Sequence, residues 1–182
     1  YVGSVKMFLQ HSGLIPSSRK AESYLLKHHL VQQEFAEPRV ESHSAMQVIK
    51  KTLADAYGHA AMDDVILCNT GMTANYAVFS ALKKLQHESN RNCFVQFGWL
   101  YTDTMEIMKK YSREHIAFLQ VSDTKALEQW LQLHHATVAA IFTEVPNNPV
   151  MQFVDLPELS RIATKFNIPL VVDGTMGTPF NI

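Results

Sequence analysis

No apolar run in this chain approaches the roughly 18–20 residues a helix needs to cross a bilayer, and no signal-peptide pattern precedes the first polar stretch. Internal repeats and low-complexity tracts are missing, which excludes solenoids and disordered linkers. Neither GxxxxGK(S/T) nor GxGxxG occurs, so the nucleotide P-loop and the dinucleotide turn lose their fingerprints. Cysteine is scarce: Cys68 and Cys93 are the only two, both in apolar runs. A disulfide framework is excluded on that count, and buried free thiols in a reducing, cytoplasmic setting are expected. Charge of one sign is missing too, with 16 Lys+Arg against 17 Asp+Glu and a formal net charge of −1. That leaves no electrostatic footprint for nucleic acid or an acidic membrane surface. The His28-His29 and His134-His135 pairs are adjacent in sequence and do not converge on one helix face, so no metal site is expected.

What remains is ordinary globular material. The 182 residues are 47% hydrophobic and 18% charged, enough for one α/β domain with a core. The chain opens on Tyr1 rather than Met and stops at Ile182 after a Pro-Phe turn; both ends are expected to continue into a longer protein. From Asp63 onward, short apolar runs alternate with helical spacing. Val65 to Cys68, Cys93 to Phe97, Ile116 to Leu119, Thr137 to Thr143 and Pro169 to Asp173 read as strands. Between them, helices are predicted from the stripe Ala74, Val78, Ala81, Leu82 and Leu85, over 102–111, after an Asp123 N-cap, and after an Asp155 N-cap. Continuous apolar strands alternating with helices predict an α/β fold, a mostly parallel sheet covered on both faces in three αβα layers. Before residue 60 the pattern differs: a basic, histidine-rich helix from about Ser17 to Leu30, an irregular stretch over 34–42, and a helix from Ser44 to Tyr57.

In open α/β sheets, ligands bind at the carboxyl ends of strands, and four such positions carry chemistry. The turn Asn69-Thr70-Gly71-Met72-Thr73 opens a helix. Its free amides and dipole favour an anion, although a plain Thr N-cap with a turn glycine explains it as well. Phe97-Gly98-Trp99-Leu100-Tyr101 follows the second strand; its aromatics either stack on a flat ring or finish the core. Glu144-Val145-Pro146-Asn147-Asn148-Pro149 follows the fourth strand, where Pro149 favours an extended Asn148. Its amide is placed to bond a ring substituent, or the segment is simply a turn. Asp173 ends the last strand. A half-desolvated carboxylate wants a cationic partner such as a protonated pyridine nitrogen, or it caps the next element.

The order of these positions is that of fold-type I pyridoxal-phosphate enzymes, and the motifs resemble the Cys/Met-metabolism, cystathionine γ-synthase-like branch over about residues 35–182. Thr70-Gly71-Met72 resembles the family's Ser-Gly-Met phosphate turn, and Phe97-Gly98 its Tyr-Gly-Gly segment. Glu144 to Pro149 resembles Glu-Thr-Pro-Ser-Asn-Pro. Val171-Val172-Asp173-Gly174-Thr175 with Thr178-Pro179 resembles Val-Val-Asp-Asn-Thr and its trailing Thr-Pro. The variant from Phe97 to Thr104 is similar to the fungal-type group.

The resemblance implies a PLP-dependent transferase-like large domain, truncated. It divides the chain into an N-terminal helical and irregular segment (1–43) and a partial cofactor-binding large domain (44–182), without the imine-forming lysine and the C-terminal domain. It implies pyridoxal 5'-phosphate as cofactor. Thr70, Gly71 and Met72 would hold its phosphate, Phe97 would stack on the ring, Asn148 would bond the ring hydroxyl, and Thr175 would sit beside the ring. Asp173, the catalytic partner of the pyridine nitrogen, would keep the ring protonated. Arg39 is the candidate that a neighbouring subunit would contribute in a homo-oligomer. The implied parent is a transsulfuration enzyme acting on activated homoserine or cystathionine-type amino acids. The chain departs from the family pattern at Phe97, which lacks the Tyr hydroxyl that Tyr101 would have to supply, at Gly174 in place of Asn, and in that Lys165 lies on a solvated helix face. Those departures keep open a non-catalytic domain serving as scaffold or partner-binding module. An unrelated nucleotide-binding domain lacks its glycine-rich turn.

Overall fold

The computed structural model describes residues 2–33, 41–58 and 60–181; Arg39 lies outside them. Eleven elements run in the order α1 (Val2–Ser12), α2 (Ser18–Lys27), α3 (Ser42–Ala56), α4 (Gly71–His87), β1 (Cys93–Phe97), α5 (Thr102–Tyr111), β2 (Glu114–Phe118), α6 (Thr124–His134), β3 (Val138–Glu144), α7 (Leu156–Lys165) and β4 (Leu170–Asp173), with two short 3-10 turns. The four strands form one parallel sheet in the order β2-β1-β3-β4. Parallel strands need crossover connections, and α5, α6 and α7 supply them.

Two apolar layers sandwich the sheet. On one face Cys93, Val95 and Phe97 of β1 and Ile141 of β3 pack against Leu127 and Leu131 of α6 and Leu159 and Ile162 of α7. On the other, Phe94 and Phe142 meet Phe79 of α4 and Ile107 and Met108 of α5. This is the expected three-layer αβα arrangement. Residues two apart on a strand share a face, which assigns Phe97 to the α6/α7 side. An irregularity between Cys93 and Phe94 skips Ala139 in the β1–β3 register, so Ala139 and Ala140 both fall on the α4/α5 side.

Helix starts follow the sequence signals. Asp123 Oδ1 accepts from the Ala126 amide at 2.9 Å and Asp155 Oδ1 from the Glu158 amide at 3.0 Å, each satisfying a donor the helix cannot pair. Ser17 caps α2 through the Lys20 amide.

The expected strand from Val65 to Cys68 does not form. The segment has no ladder partner among the described residues, and Ile66 is 83% exposed. An apolar run becomes a strand only where another strand accepts its hydrogen bonds. Cys68 is consequently exposed rather than buried, whereas Cys93 is buried as expected. Burial, with Glu114 adding to it, pushes the Cys93 thiol up to about 12, an inert core group. Helix α1 was not anticipated either; it packs on α4 and α5. No helix among the described residues is long and apolar enough to cross a membrane.

Because Leu159 is fully buried between α7 and the sheet, Leu159→Ala should cost about 2–5 kcal/mol. Asp155→Ala, which removes one exposed cap, should cost about 1 kcal/mol. Urea unfolding of both variants checks the ranking, which fails if the cap proves the costlier loss.

Candidate functional site

Parallel strands all point their carboxyl ends to one edge of the sheet. The loops after β1, β3 and β4 therefore gather there, beside the first turn of α4. Between them lies a cavity of about 400 Å³ lined by Thr70, Gly71, Met72, Asn75, Tyr101, Glu144, Asn148, Asp173, Thr175 and Met176. That volume falls in the range of about 300–1,000 Å³ found for small-molecule sites.

One end of the cavity is built from α4. Thr70 is its N-cap, and the Thr70 hydroxyl accepts from the Thr73 amide at 3.0 Å. The amides of Gly71 and Met72 precede the first residue with an intrahelical acceptor, so they are open donors at the positive end of the helix dipole. Gly71 has no side chain between its backbone and the cavity, and a Cβ there would meet nothing within 4 Å.

The other end is acidic. Val171 packs on the α4 side of the sheet, so Asp173, two residues on, shares that face. Asn75 Nδ2, one turn into α4, donates to Asp173 Oδ2 at 3.2 Å and to Thr104 Oγ1 at 3.3 Å. The second Asp173 oxygen accepts from the Thr175 amide at 3.0 Å and from the Thr175 hydroxyl. Asp173 thus caps the following turn and lines the cavity at once; the two readings of it are compatible.

Glu144 stands next to it, paired with Asp173 across the β3–β4 ladder. Its side chain is buried, and Oε2 accepts from the Tyr101 amide at 2.6 Å. Burial pushes the Glu144 carboxyl above the usual carboxylate range, and the negative Asp173 adds to that, against the pull of the Tyr101 and Asn148 amides. Asn147, fully buried, closes the turn over 147–152 by accepting from the Gln152 amide at 2.8 Å, and Asn148 within it is exposed at the cavity.

Of the residues singled out in the sequence, Thr70, Gly71, Met72, Asn148, Asp173 and Thr175 come together in this cavity. Phe97 does not. It is fully buried among Val95, Val121 and Leu127 on the α6/α7 face, because it sits in register with Cys93 and Val95. It cannot stack on a ligand held on the α4 side. The aromatic at the cavity is Tyr101, 49% exposed at its rim. Gly98, at φ 84°, makes the turn between them, and a Cβ there would stand 2.7 Å from Val121. Asn75 and Glu144 were not singled out. The Glu-x-Pro motif contained Glu144, but only the ladder pairing with Asp173 reveals its place; no local signal marks Asn75.

The raised Glu144 carboxyl gives a pH prediction with a fixed sign. The folded state holds this proton more tightly than the unfolded chain. The associated stability is therefore present below the ordinary Glu range and lost as pH rises through the raised folded value. Between about pH 4 and pH 7, urea midpoints of the native protein should fall relative to those of Glu144→Gln as pH increases. A gap independent of pH would show that Glu144 is not the titrating group.

The family model described as Cys/Met metabolism PLP-dependent enzyme matches residues 19–182. The L-2-amino-4-chloropent-4-enoate dechlorinase/desaturase of Streptantibioticus cattleyicolor is 34% identical over 183 residues, covering 100% of this chain and 36% of that protein. The cystathionine gamma-synthase of Saccharomyces cerevisiae is 31% identical over 137 residues, covering 65% of this chain and 21% of that protein. The chain therefore spans about a third or less of the length of these relatives. Among solved structures, an O-acetylhomoserine (thiol)-lyase from Campylobacter jejuni aligns with a TM-score of 0.59 at 21% identity, over 91% of this chain and 40% of that one; it carries N'-pyridoxyl-lysine-5'-monophosphate. Cystathionine gamma-lyase from Lactobacillus plantarum aligns with a TM-score of 0.54 at 18% identity, over 82% of this chain and 38% of that one. These two likenesses establish the fold, that of the fold-type I large domain. The match over 19–182 establishes the rest: this chain belongs to the Cys/Met metabolism family of PLP-dependent enzymes.

Proposed function

We propose that the cavity at the strand ends holds pyridoxal 5'-phosphate, and that the chain is part of a cystathionine γ-synthase-like enzyme of sulfur amino-acid metabolism. The observation that carries this reading is the polarity of the cavity: open helix amides at one end and the Asp173 carboxylate at the other, tied together by Asn75. A ligand with an anionic group at one end and a protonated ring nitrogen at the other complements it.

In this reading Gly71 and Met72 donate their amides to the phosphate, with the Thr70 hydroxyl beside them. Asn148 bonds the ring hydroxyl, and Thr175 borders the ring. Tyr101 takes the stacking role first expected of Phe97, and that removes one ground for reading the domain as a non-catalytic scaffold. When bound, the cofactor supplies a protonated pyridine ring that drains charge from the substrate's α-carbon. Asp173 keeps the proton on the ring nitrogen, and the Asn75 amide and Thr175 hydroxyl, which donate to its two oxygens, hold it in place. The Glu144 carboxyl, held protonated more readily than usual, leaves Asp173 as the main negative partner.

The substrate class is an α-amino acid with a leaving group on the γ-carbon. Activated homoserine and cystathionine have one, and the chlorine in the substrate for which the Streptantibioticus cattleyicolor relative is named is on that same carbon. We place the whole protein in the cytoplasm as a homo-oligomer, with Arg39 reaching a neighbouring subunit's phosphate. Residues 1–43 form an N-terminal segment and 44–182 part of the cofactor-binding large domain.

Asp173→Asn replaces a charged partner with a neutral amide. Hydrogen bonds to charged groups are worth about 1.5–3 kcal/mol, so affinity of the apo-protein for pyridoxal phosphate should drop about 10- to 150-fold, read by titration of cofactor absorbance. Unchanged affinity would remove Asp173 from the site and the reading with it.

A further inference from the structure

Helix α1 lies before the residues that the family model matches, yet its last turn grips the cavity from behind. His11 and Ser12 are 5% and 1% exposed. Gly13 closes the helix at φ 62°, with its amide donating to the Leu9 carbonyl at 2.9 Å, a left-handed stop that suits glycine. The Gly13 carbonyl then accepts from the Thr73 hydroxyl at 3.0 Å. That hydroxyl also lies 3.0 Å from the Thr70 hydroxyl, which caps the Thr73 amide. There is no spare room: a Cβ on Gly13 would overlap Thr70 Oγ1 and stand 2.7 Å from the Thr73 amide nitrogen.

The same turn holds a second cavity-lining loop. Gln10 Nε2 donates to both oxygens of Asp103, at 3.0 and 3.3 Å. Asp103 is only 6% exposed and lies in the first turn of α5, two residues after Tyr101. Its neighbour Thr104 accepts from Asn75, the residue that reaches Asp173. Gln10 of α1 and its cap Gly13 therefore touch the opening turns of both helices that wall the cavity, without lining it themselves.

Resting on the cofactor reading above, we infer that the Gln10–Gly13 turn of α1 is a positioning strap for the phosphate turn. It presses the Thr70 cap into place and so aims the Gly71 and Met72 amides. Gly13 is required because only a residue without a Cβ lets the α1 backbone approach Thr70 this closely. Within the strap the Gly13 contacts reach only Thr70 and Thr73 at the anion-binding end, so their loss should be felt by the phosphate and not by the ring.

Comparing pyridoxal phosphate with pyridoxal, which has the same ring and no phosphate, separates this role from general support. In the apo-protein, Gly13→Ala should weaken pyridoxal phosphate binding about tenfold while leaving pyridoxal binding unchanged. Thr73→Val removes only the hydroxyl tie, with no backbone strain. It should produce the same phosphate-selective loss, and it keeps the test alive if the alanine variant does not fold. Both variants should also speed hydrogen exchange at the Thr73 and Ala74 amides. Equal loss for both ligands, or no loss for either, overturns the inference. Failure of the unaltered protein to bind pyridoxal phosphate is a different result: it defeats the cofactor reading. In that case unchanged exchange at Thr73 and Ala74 in Thr73→Val overturns the strap as well, and faster exchange upholds it.

Discussion

The hydrogen bond from Asn75 to Asp173 joins two parts of the chain 98 residues apart, and the cavity depends on it. On one side is the first helix of the sheet-covering layer, which presents open amides. On the other is the tip of the last strand, which presents a carboxylate. Their common face is decided by strand parity: Val171 packs toward α4, and Asp173, two residues on, must follow it. A shift of one residue in β4 would turn Asp173 to the α6/α7 side and leave the helix amides with no opposite pole.

Around that axis the site is assembled from loops that the parallel sheet brings to one edge. Glu144 links them. It anchors the Tyr101 amide, borders Asp173 through the β3–β4 ladder, and is itself driven toward protonation by burial. A buried carboxyl beside another carboxylate would destabilise the fold if both were charged. The arrangement resolves this by leaving one of them, Asp173, with the neutral donors Asn75 and Thr175, and turning the other toward backbone amides. Stability and binding polarity are set by the same pair.

The layered fold was legible in the sequence because its signals are local. The Asp123 and Asp155 caps, the bounds of α5 and the four strands of the sheet all follow from spacing and N-cap chemistry. Asp173 was legible because strand ends carry ligands in this architecture, and Gly71 because a Thr-Gly turn opening a helix presents free amides. The rest required partners that are distant in sequence. Val65 to Cys68 has a strand's composition and, among the described residues, no ladder partner. Phe97 belongs to a strand buried on both faces, so no apolar–polar alternation revealed which way it points. Asn75 looks like any polar residue on a helix until Thr104 and Asp173 come beside it. Helix α1 shows its purpose only through Gly13, whose tight approach to Thr70 has no trace in the residues around it.

The most direct test is an experimental structure of the protein bound to pyridoxal phosphate. The account requires the phosphate oxygens to lie within about 3 Å of the Gly71 and Met72 amide nitrogens and the ring nitrogen to lie against Asp173, on the α4 face of the sheet. A phosphate seated away from the start of α4, or a ring nitrogen turned away from Asp173, would contradict it.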